Sequence, residues 1–132
     1  SGARGGGIPE GGNVSNMSFA LTTCQIRART KDVTRRLGWR KLRPGTVVQA
    51  VVKSQGLRKG EHPEVLDRIR ILRNDPEPLN EIVHRPCRGV TSEVEREGFL
   101  LLTPQEFVAM FRQHMRCKAD AVIRRIEFEY VD

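Results

Sequence analysis

The pattern of apolar and polar positions predicts a protein built mainly from short strands. Apolar or β-branched runs at Ser18 to Thr22, Thr46 to Lys53 and Val65 to Leu72 are typical of strands, and Asp32 to Arg36 is predicted to be extended. Near the end of the chain, Ala121 to Val131 alternates like a half-exposed antiparallel strand. Its apolar face carries Ile126, Phe128 and Tyr130, and its charged face carries Arg125, Glu127 and Glu129. Arg124 is in register with the apolar face, so we expect it either at a barrel mouth or directed outward.

The clearest helix signal is Thr103-Pro104-Gln105-Glu106. It combines an N-cap threonine, a proline at the first helical position and a glutamate three residues after the cap, so a helix is predicted to begin there. Phe107, Met110 and Phe111 then recur at helical spacing and predict a face packed on a sheet.

A second, shorter helix is predicted from Thr23 to Lys31, with Ile26 as its apolar anchor. The prolines within Asp75 to Pro78 predict the end of the preceding strand, because proline lacks the backbone donor. Leu79 to Val83 fits either a helical turn or a strand, and Gln55 to Glu61 is predicted to be a loop.

Short strands and two packed helices in 132 residues predict one α+β domain, a small and partly open mixed β-barrel with flanking helices. The glycine-rich segment Ser1 to Asn16 is predicted to be a flexible tail, because it has few sizeable apolar side chains. The domain is therefore expected to span residues 17–132. The sequence has no apolar run of the roughly 20 residues that a membrane-spanning helix needs, and we expect a cytoplasmic protein without a membrane partner.

Charge points to a polyanionic partner. Lys and Arg number 23 against 16 Asp and Glu, which gives a net charge of +7 and favours a polyanionic partner, with nucleic acid, RNA or DNA, as the natural candidate. The alternative is that the positive balance merely aids solubility. Between Arg27 and Arg43, eight basic residues accompany the single acid Asp32. We predict that function resides in Arg27 to Arg36 and that Trp39 either stacks on a base or closes the core. The predicted nucleic-acid contacts are Arg27, Arg29, Arg35, Arg36, Trp39, Arg40 and Lys41.

Lys31 and Thr34 have the residue types of a base and a nucleophile. Threonine needs a neighbouring base, and a lysine whose pKa is lowered by burial or by other cations can serve. Glu97 is a candidate for moving the proton to a leaving group. The alternative is a surface lysine beside an ordinary strand threonine.

The cysteines do not form a disulfide framework, since Cys24, Cys87 and Cys117 are odd in number and irregularly spaced. Two His-x-x-Cys pairs, His84 with Cys87 and His114 with Cys117, have the donor types of a structural zinc site. Pro86 and the adjacent arginines argue against it, so we treat the cysteines as free thiols and predict neither a metal nor a cofactor.

Several motifs together resemble the ASCH domain, a relative of the PUA RNA-binding domains. They are Ser-Phe-Ala-Leu-Thr-Thr, Gln-Ile-Arg-Ala-Arg-Thr-Lys-Asp-Val-Thr-Arg-Arg, Leu-Arg-Pro-Gly-Thr, Glu-Gly-Phe with Thr-Pro-Gln-Glu-Phe-Val, and Val-Ile-Arg-Arg-Ile-Glu-Phe. The match covers nearly everything after Met17, and its most specific part is the Lys-x-x-Thr-x-Arg core.

The resemblance implies a PUA-like β-barrel with flanking helices and a cleft for RNA or a modified nucleobase. Some ASCH proteins hydrolyse N4-acetylcytidine with a Lys, a Thr three residues later and a downstream Glu, which correspond in type and order to Lys31, Thr34 and Glu97. This chain departs from those hydrolases at Asp32, where they carry a small hydroxyl residue, and at Arg35, where they carry an aliphatic one. We therefore expect RNA or modified-nucleotide binding, with amidohydrolase activity as the alternative.

Overall fold

The computed structural model describes residues 15–53, 58–86 and 91–132. It contains five strands and three α-helices within these ranges, with 3-10 turns at Ala20–Thr22 and Leu79–His84. The strands are β1 (Asn16–Ser18), β2 (Val33–Arg36), β3 (Val47–Val51), β4 (Val65–Pro78) and β5 (Val122–Tyr130). The helices are α1 (Thr23–Arg27), α2 (Glu93–Arg96) and α3 (Pro104–Met115).

The five strands form one mixed sheet in the order β1-β3-β4-β5-β2. β1 runs parallel to β3, and the other neighbours are antiparallel. The edge strands β1 and β2 do not pair with each other in the part of the chain that the structure describes. The α+β class is therefore confirmed, whereas the predicted closure into a barrel is not. A side chain links the two edges instead, because Arg36 Nη2 donates to the Ser18 carbonyl oxygen at 2.7 Å.

Apolar side chains form two buried clusters. The first packs on the sheet and is composed of Met17, Phe19, Ile26, Val48, Ala50, Ile69, Ile71, Ile126 and Phe128. The second lies around α3 and the turn Leu79–His84 and is composed of Leu79, Ile82, Val94, Phe107, Val108, Phe111 and Ile123. The apolar face predicted for β5 is confirmed by Ile126 and Phe128, and the packed face predicted for α3 by Phe107 and Phe111.

The start of α3 is as predicted. Thr103 accepts from the Glu106 backbone N–H at 3.1 Å, and Glu106 accepts from the Thr103 N–H at 2.8 Å, so both halves of the capping box form. Extended chain at β2, β3 and β5 also agrees with the prediction within a few residues. No helix in the described residues is long and apolar enough to cross a membrane.

Two predictions near the start of the domain are wrong. The strand predicted at Ser18 to Thr22 is instead the end of β1 followed by a 3-10 turn. The helix predicted to reach Lys31 ends at Arg27, and Arg29 adopts a left-handed backbone with φ of 58°. This reversal lets the chain turn inward, so Lys31 is buried rather than exposed on a helix.

The prolines do not end β4, which continues through Pro76 and Pro78. Leu79 donates its N–H to Ala121 on the β5 side, so the nitrogens of Pro76 and Pro78 face the opposite side of β4 by alternation. Pairing with β3 reaches only Arg70 and leaves that side open. Proline is tolerated at such an edge, because no ladder donor is lost.

The predicted tail Ser1 to Asn16 lies outside the described residues except for its last two positions, of which Asn16 begins β1. Part of the predicted loop Gln55 to Glu61 also lies outside them.

Candidate functional site

Strand β2 distributes the predicted site residues over two faces of the sheet. Its cross-strand partners in β5 are Ile126 for Thr34, Arg125 for Arg35 and Arg124 for Arg36. Because side chains alternate along a strand, Thr34 and Arg36 share the face of Ile126, whereas Arg35 points to the other face with Arg125. The dense basic segment read from the sequence is therefore not one surface.

A cleft of 560 Å³ opens beside β2. Its walls are largely aromatic or thioether side chains from the turn after β1, from α3 and from the segment before α3, and its polar base comes from β2 and Glu97. The wall includes Phe19, Trp39, Phe99, Phe107, Met110, Phe111 and Met115. The polar lining includes Ser18, Lys31, Thr34, Arg36, Lys53, Glu97 and His114. A cleft of this volume that combines apolar walls with convergent polar groups is typical of a small-ligand site.

Lys31 and Glu97 form a buried ion pair at the base of the cleft. Both are 2% exposed, and Lys31 Nζ lies 3.0 Å from Glu97 Oε1 and also donates to the Glu97 carbonyl oxygen. Burial lowers the pKa of Lys31 below its ordinary value, against the opposing influence of Glu97 and with help from the nearby charges of Arg36 and Arg35. Lys31 is therefore closer to a neutral amine than a surface lysine is.

The short turn after α2 positions Glu97. Glu97 caps the C-terminus of α2, and Gly98 follows it with φ of 98°. Gln25 of α1 donates its Nε2 to the Gly98 carbonyl oxygen at 2.8 Å, which ties this turn to the start of the domain. α2 itself begins with a capping box between Ser92 and Glu95. The rule that identified Thr103 could have found this box, which the sequence analysis missed.

Arg35 is the centre of a buried charge network rather than a phosphate contact. Its side chain is 0% exposed and contacts three carboxylates, with Nη1 2.8 Å from Glu97 Oε2 and Nη2 3.0 Å from Glu77 and 2.7 Å from Glu93. Arg125 also binds Glu93, through two hydrogen bonds. The prediction that Arg35 contacts phosphate is thus corrected, because its charge is already neutralised out of solvent. The network fixes the second oxygen of Glu97 while Lys31 contacts the first.

Of the carboxylates in this network, Glu97 was a predicted site residue, whereas Glu77 and Glu93 were not. Burial alone would raise the pKa of Glu93, but hydrogen bonds and charge from Arg125 and Arg35 outweigh it and lower the pKa to about 2. Arg125 and Glu127, predicted on an exposed face of β5, lie under α2 instead: Arg125 is 3% exposed, and Arg96 pairs with Glu127 at 3.2 Å. Two-residue alternation alone could not show that a short helix covers the charged face.

Thr34 and Arg36 sit side by side at the cleft. Arg36 Nε donates to Thr34 Oγ1 at 3.0 Å, and the Arg36 guanidinium lies 4.7 Å from the centre of the Phe19 ring. Burial lowers the pKa of Arg36 to about 10. Among the described residues Arg36 forms no ion pair with a carboxylate, in contrast to Arg35 next to it.

Arg27 and Arg29 are exposed and lie outside the cleft lining. Arg27 pairs with Glu64, and Arg29 pairs with Asp67 at 2.9 Å and with Asp132 at 2.7 Å. The guanidinium of Arg29 also lies 5.4 Å from the centre of the Tyr130 ring. These two arginines thus contact carboxylates of this chain and are separated from the cleft that holds Lys31 and Thr34.

Trp39 lines the cleft and also packs against the sheet cluster, and its stacking on a base stays a prediction. It has a left-handed backbone with φ of 69°, and its carbonyl oxygen accepts from Asn74 Nδ2 at 2.8 Å. Arg40 and Lys41 follow it and are exposed. Arg124, the charged residue in register with the apolar face of β5, is half-buried and donates to the side-chain oxygen and the carbonyl oxygen of Asn74.

The predicted zinc donors cannot all be placed, because Cys87 lies outside the described residues. His84 ends a 3-10 turn, His114 lies in α3, and Cys117 is half-buried. Within the described ranges, no three His, Cys, Asp or Glu side chains are grouped to hold a metal ion.

Comparisons with known proteins bear on the fold. Neither a family model nor a curated protein matches the sequence. The chain is similar to the crystal structure of hypothetical protein PH0355, with a TM-score of 0.56 and 15% identity over 89% of this chain and 96% of that one. It is also similar to an ASCH domain from Lactobacillus crispatus JV V101, with a TM-score of 0.47 and 12% identity over 89% of this chain and 79% of that one. The chain thus shares its fold with PH0355.

Proposed function

We propose that the cleft binds a nucleobase, either of RNA or of a modified nucleotide. The observation that supports this proposal is the composition of the cleft, which combines aromatic side chains with hydrogen-bonding and charged groups in 560 Å³. Unpaired bases are recognised by stacking on aromatic side chains and by hydrogen bonds to their edges. Thr34, Lys31 and Glu97 supply both donors and acceptors at the base of this cleft.

Arg36 adds a cation without a carboxylate partner among the described residues. A guanidinium that lies on an aromatic ring and is partly withdrawn from water interacts strongly with an incoming carbonyl oxygen or phosphate, since its field is weakly screened. The net charge of +7 favours the approach of the same ligands.

The test is a binding screen by NMR chemical shift. Free nucleosides, N4-acetylcytidine, and short single-stranded RNA and DNA are titrated into the parent protein and into Arg36→Gln. Arg70→Gln is the control, since Arg70 is an exposed arginine on β4 that pairs with Glu129. We expect shifts at cleft residues and weaker binding by Arg36→Gln alone. Absence of any binding at low salt, or binding that Arg36→Gln and Arg70→Gln weaken equally, contradicts the proposal.

The second candidate is an amidohydrolase acting on N4-acetylcytidine. It is favoured by the way Lys31 and Thr34 line one cleft with Glu97, which is distant from them in sequence, and by the burial that lowers the pKa of Lys31. Thr34 Oγ1 would attack the acetyl carbonyl carbon while Lys31, once it has released its own proton to solvent, takes the proton of the hydroxyl. The carbon–nitrogen bond breaks, and Lys31 and Glu97 return the proton to the departing cytidine nitrogen. Water then hydrolyses the acetyl ester on Thr34, which releases acetate and restores the hydroxyl.

This candidate is tested by following loss of the acetyl group from N4-acetylcytidine. Thr34→Val keeps the shape of the side chain and removes the nucleophile, so we expect turnover to disappear while nucleoside binding persists. Thr46→Val is the matched control outside the cleft lining. Turnover by Thr34→Val at the parent rate, or no turnover by the parent protein, rejects the hydrolase.

A further inference from the structure

Strands β2 and β5 carry two pairs of directly opposed arginines, one pair on each side of the sheet. On the network side, Arg35 lies opposite Arg125, and Glu93 Oε2 accepts hydrogen bonds from both. On the cleft side, Arg36 lies opposite Arg124. Within the described residues neither Arg36 nor Arg124 forms an ion pair with a carboxylate. Their hydrogen bonds are donated to neutral oxygens of Thr34, Ser18 and Asn74. Like charges directly opposite one another are destabilising unless an anion lies between them.

The loop between β2 and β3, residues 37–46, extends this unneutralised charge away from the cleft. We call it the basic loop. Arg40, Lys41 and Arg43 are exposed on it, and none forms an ion pair with a described residue. No Asp or Glu occurs in the sequence from residue 33 to residue 60. Arg27, Arg29 and Arg73 are exposed arginines that do pair with carboxylates, whereas Arg58 and Arg68 are exposed and form no ion pair with a described residue.

Asn74 holds the basic loop in one conformation. Its Nδ2 donates to the carbonyl oxygens of Trp39 at 2.8 Å and Leu42 at 2.7 Å, so the two anchored carbonyls bracket Arg40 and Lys41. Its Oδ1 accepts from Arg124 at 2.9 Å, which joins the loop to the cleft-side arginine pair. The backbone of the loop is therefore anchored on either side of Arg40 and Lys41, close to Trp39 of the cleft wall.

We propose that the basic loop binds the phosphate backbone of a single-stranded nucleic acid whose base occupies the cleft, with a phosphate between Arg36 and Arg124. The ligand is then a nucleotide within a chain, and a free nucleoside occupies only part of the site. This inference rests on the proposed nucleobase binding and adds the class of ligand. The phosphate lies between the two arginines on the cleft side of the sheet. On the other side the Glu93 carboxylate lies between Arg35 and Arg125 in the same way.

The experiment compares ligands that differ only in their phosphates. Affinities are measured by isothermal titration for cytidine, uridine and adenosine and for the matching hexaribonucleotides, with the corresponding hexadeoxyribonucleotides and a hexaglutamate peptide as further arms. The loop variant carries Arg40→Gln, Lys41→Gln and Arg43→Gln. The control variant carries Arg27→Gln, Arg68→Gln and Arg70→Gln, which removes the same charge from α1 and β4.

We expect at least one hexanucleotide to bind about tenfold or more tightly than its nucleoside, with steep salt dependence. The loop variant should lose most of this gain and reduce the slope of log affinity against log salt by about two, since roughly 0.7 counterions are released per phosphate contact on a single strand. Its nucleoside affinity and its thermal unfolding should stay at the parent values. The control variant should keep the gain. Asn74→Ala, which frees the loop without changing its charge, should also weaken hexanucleotide binding.

Each of the other outcomes contradicts one part of the proposal. If nucleosides bind and hexanucleotides bind no more tightly, or if the loop and control variants lose equal affinity, the backbone inference is wrong and the nucleobase proposal stands. If hexaglutamate binds as tightly as the nucleic acids, the loop recognises an acidic protein segment instead. If no nucleoside and no oligonucleotide binds, both proposals are wrong.

Discussion

Arg35 and Arg36 are neighbours in sequence and opposites in environment. Arg35 is fully buried and contacts three carboxylates, whereas Arg36 lines the cleft and contacts a hydroxyl, a backbone carbonyl and an aromatic ring. Alternation along β2 separates them, and the elements packed on each face decide the rest. One face of the sheet thus uses arginine to hold the structure and to orient Glu97, and the other leaves arginine available for a ligand.

The buried arginine departs from what the resemblance to the ASCH hydrolases implies at this position, which is an aliphatic residue. Here Arg35 and the carboxylates of Glu77 and Glu93 form a buried network that contacts Glu97 from behind. Glu97 is therefore held by two cations, Lys31 on one oxygen and Arg35 on the other.

The largest expected effect comes from removing the buried arginine. Arg35→Met should lower the free energy of unfolding by about 3–5 kcal/mol, because it leaves buried carboxylates short of a cation. Arg36→Met should lower it by only about 1–2 kcal/mol, since its partners are neutral and near solvent. Urea unfolding followed by Trp39 fluorescence measures both. Equal losses would show that the two faces do not differ as described.

The second-largest effect should come from acid, which disrupts the buried charge network around Arg35. The pKa of Glu93 is lowered from 4.5 to about 2, so its stabilisation is complete above about pH 4.5 and is lost as the pH falls toward about 2. The contribution is on the order of 3 kcal/mol. Unfolding free energies measured from neutral pH downward should fall through this window. Glu93→Gln should be less stable at neutral pH and show a shallower decline, and an unchanged decline would assign the acid sensitivity to other groups.

Substitution of Gly98 tests the importance of the turn that positions Glu97. An added Cβ would lie 3.2 Å from Gln25 Cγ and 3.3 Å from Thr22 Cγ2, at a φ of 98°. Gly98→Ala should therefore cost about 2–4 kcal/mol, from backbone strain and from crowding. Gly45 has a similar φ of 92° with nothing within 4 Å of the added atom, so Gly45→Ala should cost about 1–2 kcal/mol from strain alone. Equal destabilisation of the two variants would remove crowding as a cause.

The smallest effect should come from an exposed ion pair. Arg70 and Glu129 lie 2.9 Å apart with side chains 43% and 48% exposed. Arg70→Ala should cost less than about 1 kcal/mol, because solvent screens the pair. A loss comparable to that of Arg35→Met would mean that burial does not separate structural arginines from surface ones in this protein.

Much of the architecture could be predicted because it depends on local rules. The capping box at Thr103 and the alternation of Ile126 and Phe128 each satisfy hydrogen bonds or bury apolar surface within one element. The wrong predictions lie where a neighbouring part of the fold determines the local structure. The prolines of β4 are tolerated because β3 ends before them, and the helix after Thr23 is cut short where Arg29 turns the chain inward.

The α+β class and the concentration of positive charge follow from the periodicity and composition of the sequence. Lys31, Thr34 and Glu97 became candidates through their residue types and through the resemblance to the ASCH domain, which periodicity does not provide. Which arginines are neutralised depends on the fold, since an ion pair needs carboxylates that lie 42 to 62 residues away in sequence, as for Arg35 with Glu77 and Glu97. Residue type gives a guanidinium its charge, whereas burial and the partners brought by the fold determine whether that charge remains available to a ligand.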